Sequence, residues 1–225
     1  MKKRSKRYRQ IKKKIEKKLY SIDEALDLIK KTSNTKFDAS VEVHLRLGID
    51  PTKTEQQVRG TVILPYPTGQ KLKIAVFTEE KEKEIRAAGA EVVGGEDLVK
   101  KIKETGKCDF DIAIATPAMM RHVGQIGKIL GTRGLMPNPK TETVTKDPIK
   151  TISELKSGKI SFKTDPQGLI HQVIGKVSFD SQKLRENFKA LISAIQNAKP
   201  KGVKGNYIKS VSLCSTMGPG IRVKV

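Results

Sequence analysis

Apolar positions along this chain recur with two different periods, and the changes between them divide it into three stretches. In the first, Ser21-Ile22-Asp23-Glu24 has the form of a capping box, with Ser21 at the N-cap and Glu24 three residues on. The helix it opens carries Ile22, Ala25, Leu26 and Ile29 on one face, and Lys30 and Lys31 suit its negative end. From Ala39 to Leu47 the period becomes two. Ala39, Val41, Val43, Leu45 and Leu47 point one way and Ser40, Glu42, His44 and Arg46 the other, which predicts a strand with one buried and one polar face. A Gly-Ile-Asp-Pro turn follows, then a second strand near Val58 to Leu64.

After Pro65-Tyr66-Pro67-Thr68-Gly69 the pattern changes. Leu72 to Phe77 is an apolar run interrupted only by Lys73, as in a strand covered on both faces. A helix from about Glu79 to Ala88, a strand Glu91 to Val93, a helix Asp97 to Glu104 and a strand Ile112 to Ala115 give the β-α-β-α-β rhythm of a small parallel α/β domain. Pro117 is expected at N1 of a further helix carrying Met119, Val123, Ile126 and Leu130 toward the sheet, and a last helix spans about Ile149 to Lys156.

Alternation returns beyond Ser157-Gly158-Lys159. Lys159 to Lys163, a turn at Asp165-Pro166-Gln167-Gly168, and Leu169 to Phe179 read as a hairpin. From Asp180 as N-cap, Leu184, Phe188, Leu191, Ile192 and Ile195 form a broad helical stripe. Tyr207 to Leu213 and Ile221 to Val225 are strands, separated by Ser215-Thr216-Met217-Gly218-Pro219-Gly220. Neither terminal stretch buries its elements alone. Together, residues 1–67 and 160–225 make an α+β domain with one helical layer on an antiparallel sheet, into which 68–159 is inserted as an α/β domain. The two short crossings form a natural hinge.

Charge sharpens this division. The net charge of +21 makes a polyanion the default partner, and no apolar run is long enough to span a membrane. Residues 1–67 hold 17 basic and 8 acidic side chains (+9), residues 160–225 hold 11 and 3 (+8), and residues 68–159 hold 17 and 13 (+4), so the split domain is the expected polyanion binder. Eleven of the first eighteen residues are Lys or Arg, which makes residues 1–18 a basic arm that orders on a phosphate backbone or stays a solvated tail, and no secretory signal. Aromatics at 4% limit base stacking as the main recognition mode. Cys108 and Cys214 form no CxxC pair, which points to a reducing compartment without a zinc site.

Catalysis finds little support. His44, His122 and His171 stand alone in the sequence, without metal-ligand spacing or a nucleophile elbow. His122 reads as a surface or loop-packing residue on its helix. The acidic pairs Glu79-Glu80 and Glu96-Asp97 fall in predicted first helical turns, where the dipole favours them. No GxGxxG follows a strand of the α/β domain. A Walker loop fails at both ends of the Gly-rich stretch, because His122 stands five before Gly127 and Ile129 follows Lys128. No catalytic residue, cofactor or metal is expected. RNA recognition has more behind it: polar strand faces, Lys36-Phe37 and the Thr216-Met217-Gly218-Pro219 turn lie at one edge of the split domain if its halves pair, and hydroxyls, backbone amides, one aromatic and one Met suit shape and 2′-hydroxyl readout. By itself the 216–219 turn also suits a bulge at a sheet corner.

The stretch Gly127-Lys128-Ile129-Leu130-Gly131-Thr132-Arg133-Gly134-Leu135-Met136-Pro137-Asn138-Pro139-Lys140 resembles the signature of the L-one family of ribosomal proteins, those of the mobile stalk of the large subunit, with Thr132 where that family usually has Pro. The resemblance extends collinearly over nearly the whole chain, through Lys36-Phe37-Asp38, Val41-Glu42-Val43-His44, Leu47-Gly48-Ile49-Asp50-Pro51, Val58-Arg59-Gly60-Thr61, Ala90 to Gly95, Ile170-His171 and Ser215 to Pro219. It implies a split ferredoxin-like α+β domain and an inserted Rossmann-like parallel α/β domain. It further implies a structural constituent of the large ribosomal subunit that binds the stalk of 23S-type rRNA, takes part in moving and releasing exit-site tRNA, and represses its own operon mRNA, on a cytoplasmic ribosome or that of an organelle. Carried over by position, the rRNA contacts are Lys36, Phe37, Ser40, Glu42, Lys163, Asp165, His171, Thr216, Met217, Gly218 and Pro219, with Lys128, Arg133 and Lys140 of the signature loop as secondary RNA contacts. Ser40 stands for a commoner Thr, and Gly220 for a commoner Ser. Two readings from other classes compete: a nucleotide-dependent RNA-processing enzyme using the α/β domain, and a polybasic protein anchored to a membrane surface by its arm.

Overall fold

The computed structural model describes residues 5–70, 72–200, 202–203 and 205–224. In chain order the elements are α1 (Lys6–Lys13), α2 (Ile22–Thr32), β1 (Ser40–Leu47), β2 (Arg59–Ile63), β3 (Ile74–Phe77), α3 (Glu82–Ala88), β4 (Val92–Gly94), α4 (Glu96–Thr105) and β5 (Ile112–Ala115). They continue as α5 (Met120–Gln125), α6 (Gly127–Thr132), α7 (Pro148–Lys156), β6 (Lys159–Lys163), β7 (Leu169–Lys176), α8 (Ser181–Asn197), β8 (Ile208–Ser215) and β9 (Ile221–Val223). These divide into two compact units, Met1–Gly69 with Ile160–Val225, and Gln70–Lys159. The fold is mixed, an antiparallel sheet in one unit and a parallel one in the other, as expected of a split ferredoxin-like domain and a Rossmann-like one.

In the split unit the sheet order is β7-β1-β8-β9, with each neighbouring pair antiparallel. The alternation of β1 decides which face is covered. Val41, Val43, Leu45 and Leu47 join Leu26 and Ile29 of α2 and Leu184, Phe188, Leu191, Ile192 and Ile195 of α8 in one core. The intervening Ser40, Glu42 and His44 are half-buried and Arg46 is exposed, on the face away from the helices. The capping box forms as read: Ser21 Oγ accepts from the Glu24 amide at 3.3 Å, and Glu24 Oε2 accepts from the Ser21 amide at 3.0 Å. That hydrogen bond holds the Glu24 carboxyl below its ordinary range. Ser21→Ala is expected to cost about 1 kcal/mol of stability, read as a lower urea midpoint at unchanged m-value.

The terminal stretches pair through Tyr20, whose amide donates to the Arg222 carbonyl while its own carbonyl accepts from Lys224. The basic arm departs from the expectation of a tail that orders only on binding. Its residues 1–4 lie outside the described part, but α1 is a helix capped by Ser5, and Arg7 Nη1 donates to the Asn34 carbonyl at 3.0 Å.

The hairpin expected between Lys159 and Phe179 does not form. β6 pairs with β2 in a separate two-stranded sheet, whereas β7 pairs with β1. The Asp165 turn therefore passes the chain from one sheet to another. Local alternation looks the same in either arrangement, and which strand is the neighbour is a long-range choice. Asp180 occupies the N-cap of α8 but makes no side-chain capping bond there.

In the inserted unit the parallel order β4-β3-β5 explains the apolar run Ile74 to Phe77. Ala75 and Phe77 face a core with Val99 and Ile102 of α4, Val123 of α5 and Leu130 of α6, while Ile74 and Val76 face a second core with Ile85 of α3 and Ile152 and Leu155 of α7. Two elements differ from expectation. The helix placed at Glu79 starts at Glu82, because the Thr78 hydroxyl accepts the Glu80 amide at 3.2 Å and Lys81 takes a left-handed conformation (φ 55°). Glu79 and Glu80 thus precede the first helical turn, whereas Glu96 and Asp97 do sit in one. Pro117 lies in a turn before α5, and the expected long helix is two short ones parted at Ile126 (φ −101°, ψ 12°). Its apolar residues Met119, Val123, Ile126 and Leu130 are nonetheless all buried.

Lys159 is buried, and its ammonium is paired with the Glu142 carboxylate and, at 2.7 Å, with that of Glu154. Burial pulls its pKa down, but the two carboxylate hydrogen bonds outweigh that and hold it above the ordinary lysine value. Among the described residues, no helix is long and apolar enough to cross a membrane.

Candidate nucleic-acid interface

The candidate residues of the split unit come from both ends of the chain, and the β1–β8 pairing brings two groups of them together. Val41 faces Ser215 and Glu42 faces Cys214 in the ladder. Beyond its end, the Thr216 amide donates to the Ser40 carbonyl at 2.9 Å, and Thr216 Oγ1 accepts from the Ser40 amide at 3.0 Å. The 215–219 turn is thereby fixed beside the start of β1.

Two large apolar side chains in this region remain in solvent, Phe37 at 55% and Met217 at 66% relative exposure. Met217 is also strained, with φ at 62°, a conformation that costs a non-glycine residue about 1 kcal/mol or more. Gly218 follows where space is tight: a Cβ there would lie 2.4 Å from Ser215 Oγ and 3.1 Å from the Ser215 carbonyl, so a larger residue requires Ser215 to shift. A turn that holds a Met outward at a backbone cost is unlike a mere sheet corner, for which Gly or Asn at that position would relieve the strain. Pro219 is buried and Gly218 half-buried, so the turn offers mainly Met217 and Thr216. Lys36 is exposed, and Ser40 Oγ accepts from Lys176 Nζ at 3.0 Å.

Glu42 and His171 lie further along the same face. His171 is directly opposite His44 in the β1–β7 register, and their Nδ1 atoms approach to 2.7 Å. Asp165 and Lys163 stand past the far end of β1, where the Leu47 amide donates to the Gly168 carbonyl. Asp165 has a structural task, since its Oδ1 accepts from the amides of Gln167 and Leu169 at 2.9 and 2.7 Å. Its other oxygen lies 3.8 Å from His171 Nε2. Lys163 is exposed on β6.

In the inserted unit Lys128 and Lys140 are exposed, but Arg133 is engaged: its guanidinium donates to the carbonyls of Gly106 and Cys108 at 2.9 and 3.4 Å. The glycine-rich signature adopts no phosphate-cradling loop at a strand end; it is α6, a turn and a short 3-10 segment over Pro139–Thr141. His122 pairs with Glu96, Nδ1 to Oε1 at 3.1 Å, on the unit's surface.

Sequence reasoning missed several groups. The histidines do not all stand alone: besides its contact with His171, His44 has Nε2 3.0 Å from Cys214 Sγ and 3.9 Å from Glu42 Oε2. Burial, then the neighbouring His171, holds the His44 pKa below its ordinary value, so the ring is neutral at pH 7. Burial, aided by Glu42, pushes the Cys214 thiol up to about 11. These residues belong to three adjacent strands far apart in sequence, which is why spacing hid them. Also unforeseen is a basic cleft beside β8 and β9, lined by Arg46, Lys199, Lys209, Arg222 and Lys224. Its only sequence signal was the net charge of the terminal stretches.

Comparison with known proteins follows the same residues. Residues 29–219 match the Ribosomal protein L1p/L10e family. The chain is 52% identical over 225 residues to the large ribosomal subunit protein uL1 of Mycoplasma capricolum, covering all of both chains. It is 52% identical to the protein of that name from Thermosipho africanus, over 99% of this chain and 97% of the relative. The corresponding figures for Solibacter usitatus are 51%, 97% and 92%.

Proposed function

This chain belongs to the ribosomal protein L1p/L10e family, and on that premise we propose that its split unit grips the stalk region of large-subunit rRNA with the edge formed by residues 36–42 and 215–219. Members of this family are structural ribosomal proteins, so the chain is a non-enzymatic constituent of the large subunit. The observation that carries the RNA reading is the exposed, strained Met217 and exposed Phe37 flanking the hydrogen-bonded Ser40–Thr216 junction. Apolar surfaces of this kind serve sugars and unstacked bases, and hydroxyls and backbone amides serve 2′-hydroxyls and phosphates.

Phosphate affinity comes from the unit's cations: Lys36 at that edge, Lys163, Arg46 and Arg222 on the strands, and the lysines and arginines of α1. Glu42, Asp165 and His171 then serve as hydrogen-bonding groups on the same face. Lys128 and Lys140 of the inserted unit suit secondary contacts with rRNA or exit-site tRNA, and Arg133 contributes chiefly by bracing its loop. A messenger segment folded like the rRNA site engages the same edge, which makes repression of the chain's own operon a consequence of one surface. The place of action is the cytoplasmic ribosome.

The split unit has its own core, separate from those of the inserted unit. A chain with residues 70–159 replaced by a short Gly-Ser linker is therefore expected to fold and to bind a stalk-type rRNA fragment with most of the full chain's affinity. Its log Kd should rise linearly with log salt, at a slope of roughly 0.9 or 0.7 per phosphate neutralised for duplex or single-stranded contacts. A folded split unit that fails to bind, alongside an isolated 70–159 that binds, overturns the assignment.

A further inference from the structure

We propose that Glu42 Oε2, His44 Nε2 and Cys214 Sγ form a binding site for one zinc-type divalent transition-metal ion. Cys214 is the ladder partner of Glu42, and His44 stands two residues along β1, on the same face. The three candidate donor atoms all lie within 4.8 Å of one another. For tetrahedral zinc, bond lengths of about 2.0–2.3 Å put neighbouring ligand atoms roughly 3.4–3.6 Å apart. The two separations from His44 Nε2, 3.0 Å to Cys214 Sγ and 3.9 Å to Glu42 Oε2, bracket that distance, and the remaining pair lies within 4.8 Å, so side-chain shifts of about an ångström bring the three donors onto one ion.

Outer support is already built. A metal-bound imidazole donates its second ring N–H to a neighbouring acceptor, and His44 Nδ1 lies 2.7 Å from His171 Nδ1. All three ligands stand on hydrogen-bonded central strands, β1 lying between β7 and β8, which limits the reorganisation that binding requires.

The donor set selects the ion class. Thiolate with imidazole favours zinc, cobalt, nickel or copper over magnesium and calcium, which prefer oxygen-only shells. One thiolate and one carboxylate neutralise the dication, and on binding the Cys214 proton leaves to solvent as the sulfur–metal bond forms. Three protein ligands leave the fourth tetrahedral position to water. Glu42 is shared with the RNA face described above, but metal binding by these atoms needs no RNA and stands or falls separately.

The test uses the full chain, free of RNA and kept reduced, titrated with Co2+ at mildly alkaline pH. The expected result is a thiolate-to-cobalt charge-transfer band with visible bands of tetrahedral strength, saturating at one equivalent and bleached by Zn2+. Cys214→Ser and His44→Ala should abolish both sets of bands, Glu42→Gln should weaken binding, and Cys108→Ser should leave the titration unchanged. His171→Ala should weaken binding about 10–100-fold as the ring loses its outer partner. Each variant's urea midpoint establishes that it is folded, and Glu42→Gln, nearly isosteric, carries the test if the others are not. Absence of the bands in the unsubstituted chain, their survival in folded Cys214→Ser, a titration unaltered by Glu42→Gln, or their loss in Cys108→Ser overturns the proposal.

Discussion

Met217→Asp is expected to lower affinity for a stalk-type rRNA fragment by on the order of tenfold or more, equivalent to at least about 1.4 kcal/mol, with the unfolding midpoint unchanged or slightly raised. The side chain is 66% exposed, so its removal takes little from the core. Its backbone is left-handed at φ 62°, a region Asp tolerates better than Met, so folding does not suffer. On the proposed interface, what changes is the charge presented at the turn: an apolar side chain becomes a carboxylate, which phosphates repel. The deficit should shrink as salt rises, because exposed like charges are screened over about 10 Å at moderate ionic strength. Titration of the labelled fragment at two salt concentrations reads both effects, and an affinity equal to that of the unsubstituted chain removes the 215–219 turn from the interface.

Asn187→Leu is expected to destabilise the split unit by roughly 2–4 kcal/mol. Asn187 has no solvent exposure, yet every polar contact it makes is useful. Its Oδ1 accepts from the Tyr66 amide at 3.0 Å, and its Nδ2 donates to the carbonyls of Tyr66 and Ile174 at 2.8 and 2.7 Å. The second carbonyl is a special case. The β1–β7 register passes from Val41↔Gly175 to Glu42↔Val173, so Ile174 is the extra residue of a bulge and lacks a ladder partner. Leu matches Asn in shape but strands two carbonyls and one amide, and an unsatisfied buried group costs about 1–3 kcal/mol. A urea unfolding curve monitored on the split unit checks this, and a loss below about 0.5 kcal/mol shows that solvent replaces the amide without penalty.

Both residues illustrate how unevenly the fold was legible. The capping box, the alternation of β1 and the stripe of α8 were readable because each depends on residues within one or two turns of one another. The run Leu72 to Phe77, apolar but for Lys73, was readable too, since two apolar faces need two cores. The failures have a common origin. Lys159 to Phe179 looked like a hairpin because pairing within it and pairing with β2 and β1 demand the same alternation. Glu79 and Glu80 suited a helical first turn by charge, but the Thr78 hydroxyl bond and the left-handed Lys81 delayed the helix. The candidate RNA residues came from resemblance position by position, whereas the cluster of Glu42, His44, His171 and Cys214 joins residues 127 and 170 positions apart and left no local pattern to read.

What the sequence determined alone is most of the elements, the faces that the periodic ones bury, and the concentration of positive charge in the two terminal stretches. All of these follow from short-range periodicity and from counting charges. Only the tertiary structure decided which strands are neighbours, that Met217 is held outward by a strained turn stitched to Ser40, and that two histidines and a cysteine share one sheet face. Those depend on ladder register between distant segments, where a shift of one residue exchanges the two faces of a strand and no local pattern records the choice.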